Sequence, residues 1–269
     1  MWLTTVFLVY SKMEFPSETE SISSRFEPYG AENSAFLSTL IASHPRSDLL
    51  RNFLVILRYW AKVKGVSSRG NSINGYTLTL MAMVYLQNQG EQPKIRPQLP
   101  PVKYFGGEWV TVGGWLMPKV EVESGTKCLE ESETPEPKRS KMTEESDETS
   151  DDDIVGALLG FFRFYARFPY STSVVCPYLG RPVDRNDLKD EEFLRESFGL
   201  YSDRLKKGEV PGLSVSKPLC VQDPFEHAVN TSANVTAASV AGLASACTEA
   251  VRVLREGGCT VGQFLKWKE

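Results

Sequence analysis

The sequence predicts a mainly α-helical fold of the α+β type, with only a few short β-strands. Apolar residues recur at helical spacing across residues 47–64 and again across residues 237–255. Strand-like runs are short and isolated, as in residues 109–115 and 170–178. Of the 269 residues, 41% are hydrophobic, so the chain has enough apolar side chains to form a substantial core.

The first part of the chain should hold helices that follow a strand and an irregular segment at residues 1 to about 30. A helix at 47–64 is expected because Leu50, Phe53, Leu57 and Trp60 are spaced to share one face. Short polar residues before such runs are typical N-caps. The expected helices are 34–43, 47–64 with Ser47 as its N-cap, and a third that is capped by Asn74 or Ser72 and ends near residue 88.

The second part should alternate short strands with helices. Residues 109–115 are expected to form a strand or hairpin, and the apolar run at 154–168 a long helix. The paired glycines at 257–258 should end the last helix. The remaining expected elements are a β-segment at 170–178, a small helix at 190–198 and the final helix at 237–255.

The acidic residues are concentrated in one segment, residues 121–153. This segment holds thirteen Asp or Glu and four Lys or Arg, a net charge of −9, whereas the whole chain carries −4. The rest of the chain therefore carries −4 − (−9) = +5. Segments that are rich in acids and poor in aromatic residues do not bury enough apolar surface to fold, so we expect a disordered insert. A mildly basic body favours a polyanionic partner.

The five cysteines are scattered and include no Cys-x-x-Cys pair. This pattern favours reduced thiols in an intracellular protein over a disulfide framework or a zinc site. The apolar run at residues 1–10 is too short to cross a bilayer and lacks the features of a signal peptide. We expect no membrane partner and no DNA partner.

Two cations and a tyrosine outline a nucleotide pocket. Arg58 and Lys62 are four residues apart, so on a helix they share a face and can reach one anion. Tyr76 should lie in the first turn of the next helix, where its ring can stack on a base. The alternative is a solvated charge pair and a core tyrosine, and spacing alone favours that alternative.

Three blocks of sequence resemble the noncanonical poly(A) polymerases and terminal uridylyltransferases. Residues 57–62 with 76–87 look like the central domain of that family. Residues 222–235, which contain Asp-Pro-Phe-Glu and then Asn and Asn-Val, are similar to the end of its PAP-associated region. Residues 153–168 resemble the opening helix of that region. The mitochondrial-type poly(A) polymerases and the U6-type uridylyltransferase are the nearest in pattern.

The resemblance implies a PAP/OAS1-like substrate-binding domain and assigns a set of nucleotide-binding residues. Asn33 could instead cap a helix, and Asp223 could instead cap the turn before Pro224. His227 is interpreted as structural, and the apolar residue at position 229 favours ATP over UTP. The implied contacts are Asn33 and Ser34 to ribose and base, Arg58 and Lys62 to the β- and γ-phosphates, Tyr76 to the base face, and Asp223, Glu226 and Val229 to the base edge.

The family's catalytic site does not map onto this sequence. The resemblance implies nucleotidyl transfer to an RNA 3′ end by two divalent ions, Mg²⁺ or Mn²⁺, that three aspartates hold. No aspartate precedes Asp48, and Ser21-Ile22-Ser23 stands where the third is expected. Hydroxyls are poor replacements for carboxylates at such ions. We therefore expect neither metal ligands nor catalytic residues in this chain, and no tailing activity from it alone.

The expected organisation follows from these blocks. Residues 1–30 are interpreted as a remnant of the nucleotidyltransferase domain and its sheet, in a truncated gene product or isoform. Residues 31–120 and 154–258 should form the helical nucleotide-recognition and PAP-associated domain, separated by the insert at 121–153. The expected partners are ATP or UTP and an RNA 3′ end. The alternatives are a non-catalytic RNA-binding or scaffold paralogue and, more remotely, an unrelated helical adaptor.

Overall fold

A computed structural model describes residues 29–67, 72–88, 98–105, 108–112, 114–119, 150–256 and 260–266. Within these ranges the chain forms mainly helices, with two small antiparallel sheets, so the predicted fold class is confirmed. The predictions made for residues 1–28 and for 121–149 lie outside the described residues.

The first helix, α1 (Tyr29–Ala42), begins five residues before the expected start at residue 34. Pro28 immediately precedes it, and proline is tolerated at a helix start because its missing N–H is not needed there. Asn33 therefore lies in the second turn of α1, and the prediction that it might cap a helix is wrong.

The second helix, α2 (Ser47–Val63), matches the expected range, but Ser47 is not its N-cap. Arg46 occupies the cap position and its side chain makes no capping hydrogen bond. Instead, Arg46 Nη2 lies 2.6 Å from Asp153 Oδ2. An ion pair with a residue 107 positions away therefore anchors the start of α2, and local sequence does not reveal such a partner.

The third helix, α3 (Gly75–Gln87), begins at the predicted cap, since Asn74 Oδ1 accepts a hydrogen bond of 2.7 Å from the Thr77 backbone N–H. All residues from Thr77 to Gln87 are buried. A helix that is apolar on every side belongs in the interior of a domain. The position of α3 is therefore set by packing on all of its faces.

Two hairpins supply the β-structure. The predicted hairpin pairs β1 (Trp109–Val112) with β2 (Trp115–Pro118), with Trp109 opposite Pro118. Gly114 in its turn has φ +87°, a conformation that favours glycine. The second hairpin pairs β3 (Ser173–Cys176) with β4 (Arg181–Asp184). A bridge from Val175 to Val221 joins this hairpin to the segment that contains Asp223.

The long apolar helix α4 (Asp151–Ala166) begins three residues earlier than predicted. Ser150 caps it, since its Oγ accepts a hydrogen bond of 3.2 Å from the Asp153 backbone N–H. Acidic residues in the first turn also interact favourably with the positive end of the helix dipole. Asp151–Asp153, which the acidic composition assigned to the disordered insert, are therefore helical.

Four further α-helices follow among the described residues, which also contain two short 3-10 helices (Val102–Tyr104 and Asp187–Lys189). Three of the four α-helices are short. The second and the last of the four had no counterpart in the sequence-based prediction, because helices of so few turns show no clear apolar periodicity. The helices are α5 (Glu191–Ser197), α6 (Gly199–Lys206), α7 (Ala237–Glu256) and α8 (Val261–Lys266).

The main core lies between α4 and α7, with α1, α2 and α3 packed around the same cluster. On α7, Leu243, Cys247 and Leu254 are buried. The helix is long and apolar enough to cross a bilayer, although helices in the cores of other proteins share that composition. Its buried stripe packs on α4 and stabilises the fold by removing apolar surface from water.

Candidate nucleotide-binding site

Tyr76 lies in the first turn of α3, where the Asn74 cap fixes the backbone. Its side chain is half-buried, and its hydroxyl donates a hydrogen bond of 2.9 Å to Asp223 Oδ2. Burial and, secondly, the nearby Asp223 carboxylate raise the pKa of Tyr76 well above its usual range. The phenol therefore keeps its proton and remains a donor, which fixes the direction of the ring.

Asp223 holds two parts of the chain together. Its side chain is 5% exposed. Oδ1 accepts hydrogen bonds from the backbone N–H groups of Phe225 at 2.9 Å and Glu226 at 3.0 Å. One carboxylate oxygen thus caps the turn, as the alternative interpretation of Asp223 predicted. The other oxygen accepts the hydrogen bond from Tyr76. Burial raises the pKa of Asp223, although these three donors act in the opposite direction.

Asn33 reaches the same place from α1. Its side chain is 9% exposed and lies near the Tyr76 hydroxyl, where its amide counteracts the effect of burial on the pKa of Tyr76. Asn33 Oδ1 is buried and has no hydrogen-bond partner among the described residues. A ligand N–H or O–H would satisfy this acceptor. Ser34, the next residue, is exposed on the outer side of α1.

The two predicted cations lie on the exposed side of α2, one turn apart. Arg58 Nη2 donates a hydrogen bond of 2.8 Å to Thr79 Oγ1. Thr79 lies three residues after Tyr76 on α3, and residues at this spacing share a helix face. The guanidinium is therefore held against the helix that carries the tyrosine, and Lys62 follows Arg58 one turn further along α2.

The loop after Asp223 carries the remaining predicted residues. The Asp223 backbone N–H donates to Val229 O at 3.0 Å, and the Val229 N–H donates to Glu226 O at 2.8 Å. The Val229 side chain is 39% exposed, and Glu226 is partly exposed. Glu226 lies close enough to Tyr76 for its charge to contribute to the raised pKa of the phenol.

His227 points away from this group. Its ring lies in an aromatic cluster, 4.4 Å from Tyr178 and 5.0 Å from Phe198 between ring centroids. Burial lowers the pKa of His227 to about 4, so the ring is neutral at pH 7. The structure therefore agrees with its interpretation as a structural residue.

Two contacts at this site were missed by the sequence analysis. One is the Arg58–Thr79 hydrogen bond. The other joins Thr77 Oγ1 to Thr231 O at 2.9 Å, so that α3 is tied a second time to the segment that contains Asp223. No local sequence pattern indicates either contact.

The structure thus gathers Asn33, Arg58, Tyr76, Asp223 and Glu226 around the first turns of α3. A ring, cations and an unsatisfied buried acceptor are the groups that bind a base, phosphates and a polar edge. Among the described residues, no three His, Cys, Asp or Glu side chains are placed to hold a metal ion. The residues gathered here are thus of the types that contact a nucleotide.

Comparison with known proteins assigns the same region to a family. Residues 154–228, from α4 to the loop after Asp223, match the family described as Cid1 family poly A polymerase. Over this segment the chain is similar to the noncanonical poly(A) polymerases and terminal uridylyltransferases. The matched segment contains Asp223 and Glu226, and Tyr76, which lies outside the segment, donates its hydrogen bond to Asp223.

Full-length relatives of this family are similar in sequence to most of the chain. Speckle targeted PIP5K1A-regulated poly(A) polymerase of Danio rerio is 27% identical over 211 residues, which are 77% of this chain and 24% of the relative. The Homo sapiens protein of the same name is 28% identical over 225 residues, 83% of this chain and 21% of the relative. The chain therefore spans less than a quarter of the length of these relatives.

Solved structures of the family share the fold. The crystal structure of mtPAP in complex with ATPgammaS has a TM-score of 0.53 and 19% identity, and the match covers 81% of this chain and 39% of that chain. The Cid1 poly(U) polymerase with Mg 3′-dATP bound has a TM-score of 0.50 and 18% identity, over 78% and 52% of the two chains. At this level of identity the likeness concerns the fold.

Proposed function

We propose that this chain forms the nucleotide-recognition wall of an RNA 3′-terminal nucleotidyltransferase and binds a nucleoside triphosphate around the start of α3. The observation that carries this proposal is the placement of Arg58 against the helix whose first turn presents Tyr76. Phosphate-binding and base-stacking groups thereby lie on adjoining helices. The family-model match over residues 154–228 and the nucleotide complexes named for mtPAP and Cid1 support the same function.

Tyr76 has the properties of a base platform. Its hydroxyl is fixed by Asp223, so the ring has a defined direction before a ligand arrives. A preorganised ring loses little side-chain entropy on binding. Stacking of one base on such a ring contributes about 1–3 kcal/mol.

Arg58, Lys62 and the unsatisfied Asn33 Oδ1 complete the recognition of the nucleotide. Arg58 is suited to bind two phosphate oxygens with one planar guanidinium, and Lys62 adds a compact charge one turn away. Asn33 Oδ1 is a buried acceptor for a ribose hydroxyl or a base amino group. The exposed, apolar Val229 at the loop edge favours ATP over UTP in our proposal.

The transfer step needs groups beyond this wall. Divalent Mg²⁺ or Mn²⁺ ions, when bound in the complete family enzyme, neutralise the attacking hydroxyl and the leaving pyrophosphate. Since we expect no ligands for them in this chain, we propose that it binds nucleotide but does not extend RNA by itself. Its own residues orient the base and the phosphate tail.

Calorimetric titration of the full chain with ATP, UTP and AMP tests the proposal. Lys62→Ala should weaken ATP binding by about 1–3 kcal/mol, and Tyr76→Ala by a similar amount. Tyr76→Phe is the matched control, because it keeps the ring and removes only the hydroxyl bonded to Asp223. Unchanged ATP affinity in both alanine variants would contradict the proposal and favour an adaptor function.

A tailing assay with Mg²⁺, ATP or UTP and an RNA primer tests the second part. No extension by the full chain is expected. Incorporation that disappears in the Glu20→Gln variant would show that this chain supplies its own metal ligands.

A further inference from the structure

A single buried threonine links the phosphate-binding cation to the helix that carries the base-stacking ring. Thr79 is 3% exposed, and it accepts the hydrogen bond from Arg58 Nη2 at 2.8 Å. Its own hydroxyl hydrogen is committed elsewhere, since Thr79 Oγ1 donates to Gly75 O at 2.8 Å. The hydroxyl has one hydrogen and two acceptor positions, so this arrangement turns its lone pairs toward the guanidinium.

We propose that Thr79 is a positioning residue, which orients the Arg58 guanidinium toward the β- and γ-phosphates of the bound nucleotide. This inference rests on the proposed function of the site. Thr79 does not touch the nucleotide itself. It acts through Arg58 and adds a residue that neither the sequence motifs nor the comparisons assign.

The chemistry of the acceptor matters for this role. A carboxylate partner would orient a guanidinium and also neutralise it, which would weaken its attraction to phosphate. A hydroxyl orients the guanidinium without adding a negative charge. Arg has a long side chain with considerable rotamer entropy, so fixing one of its nitrogens before binding reduces the entropy lost when the phosphates arrive.

The geometry also couples the two halves of the nucleotide site. Thr79 and Tyr76 are three residues apart on α3, and Gly75, which accepts from Thr79, is the neighbour of Tyr76. The guanidinium is thereby held at a fixed offset from the ring, as a base and its phosphate tail require. Deep burial of Thr79 in the packed interior of α3 keeps this offset rigid.

Thr79→Val removes the hydroxyl and keeps the shape, because the two side chains differ by one hydroxyl-for-methyl exchange. Arg58 is solvent-exposed, so water replaces the lost contact and the fold should be retained. Thr79→Ser restores the hydroxyl and should rescue binding. Thr248→Val is the matched control, since Thr248 Oγ1 also donates to the carbonyl four residues earlier, on α7.

The measurement is the ratio of ATP affinity to AMP affinity for the full chain, obtained by calorimetry. The ratio reports the β- and γ-phosphates, whereas a general loss of structure lowers both affinities. Thr79→Val should reduce the ratio by about fivefold to tenfold, Thr79→Ser and Thr248→Val by less than about twofold. In an Arg58→Met background, Thr79→Val should have no further effect on the ratio.

Each contrary result has a distinct meaning. If Arg58→Met lowers the ratio and Thr79→Val does not, the inference about Thr79 is wrong and the proposed function stands. The inference is also wrong if the valine variant weakens ATP and AMP binding equally. If the wild-type chain does not prefer ATP to AMP, the proposed function fails and the inference fails with it.

Discussion

The hydroxyl of Tyr76 donates a hydrogen bond to a carboxylate oxygen of Asp223, 147 residues further along the chain. This bond joins the first turn of α3 to a tight turn in the family-matched region. Asp223 therefore has two roles. Its carboxylate caps its own turn, and it orients the ring on which we propose that the base stacks.

The first prediction concerns the form of Asp223 that the fold prefers. Since burial raises its pKa in the folded state, the stability linked to its proton is present at low pH and is lost as the pH rises through the folded pKa. Asp223→Asn removes the buried charge and keeps an acceptor for the two backbone N–H groups, so at pH 7 it should be more stable than Asp223→Ala. Asp223→Ala leaves the N–H groups of Phe225 and Glu226 and the Tyr76 hydroxyl without their acceptor and should lose about 1–3 kcal/mol.

Urea unfolding of both variants at pH 7 measures the difference. Equal losses in the asparagine and alanine variants would contradict the prediction, because they would show that the negative charge of Asp223 stabilises the turn.

The second prediction is a gain of affinity at Gly75. Gly75 precedes Tyr76, and the family that the chain resembles more commonly has Ser or Asn there; a Cβ added to Gly75 meets no atom within 4 Å. Gly75→Ser should supply a hydroxyl to the bound nucleotide and strengthen ATP binding by about 0.5–1.5 kcal/mol. Gly156→Ser on α4, where a Cβ is equally free, controls for the better helix propensity of serine. The same affinity in both serine variants would overturn this expectation.

The third prediction is a pH dependence that His227 imposes. In the unfolded chain the ring takes up a proton near pH 6.5, but in the fold only near pH 4. Folding stability linked to His227 is therefore lost as the pH falls from about 6.5 to about 4. Between pH 7 and pH 5 the wild type should lose about 2 kcal/mol from this residue.

His227→Phe removes the titration and suits the aromatic surroundings of the ring. The difference in unfolding free energy between variant and wild type should therefore grow as the pH falls. A constant difference from pH 7 to pH 5 would show that His227 does not titrate as its burial implies.

The fourth prediction concerns base preference and rests on the family resemblance. The resemblance implies that uridylyltransferases often have a histidine at the position of Val229, where it crowds out adenine. The Val229 side chain is exposed, so Val229→His should fold normally and lower the ratio of ATP to UTP affinity. Val229→Leu keeps the side chain apolar and is the control. A ratio that is the same in the histidine and leucine variants would remove Val229 from the base-binding edge.

The helices that were predicted well are those with long apolar stripes. The stripes of α2 and α7 extend over several turns, so their ranges followed from the sequence. The start of α4 was missed because it depends on a serine cap with three acids. Neither α6 nor α8 has enough turns to show a clear stripe.

Part of the site also followed from sequence. The i, i+4 spacing of Arg58 and Lys62 placed them on one face, and the resemblance singled out Tyr76. The contacts to Asp223 and Thr231 join segments about 150 residues apart, and no local pattern reports such pairing. The role of Thr79 required coordinates, because a threonine inside an apolar helix is indistinguishable by sequence from an ordinary core residue.

Because α3 is buried from Thr77 onward, its interior residues tolerate less substitution than the residues at its start. Gly75 lies at the start of the helix, and Val229 lies on a surface loop. Under the proposed function both positions contact the nucleotide, so substitutions there alter nucleotide preference while the buried residues of α3 keep their packing.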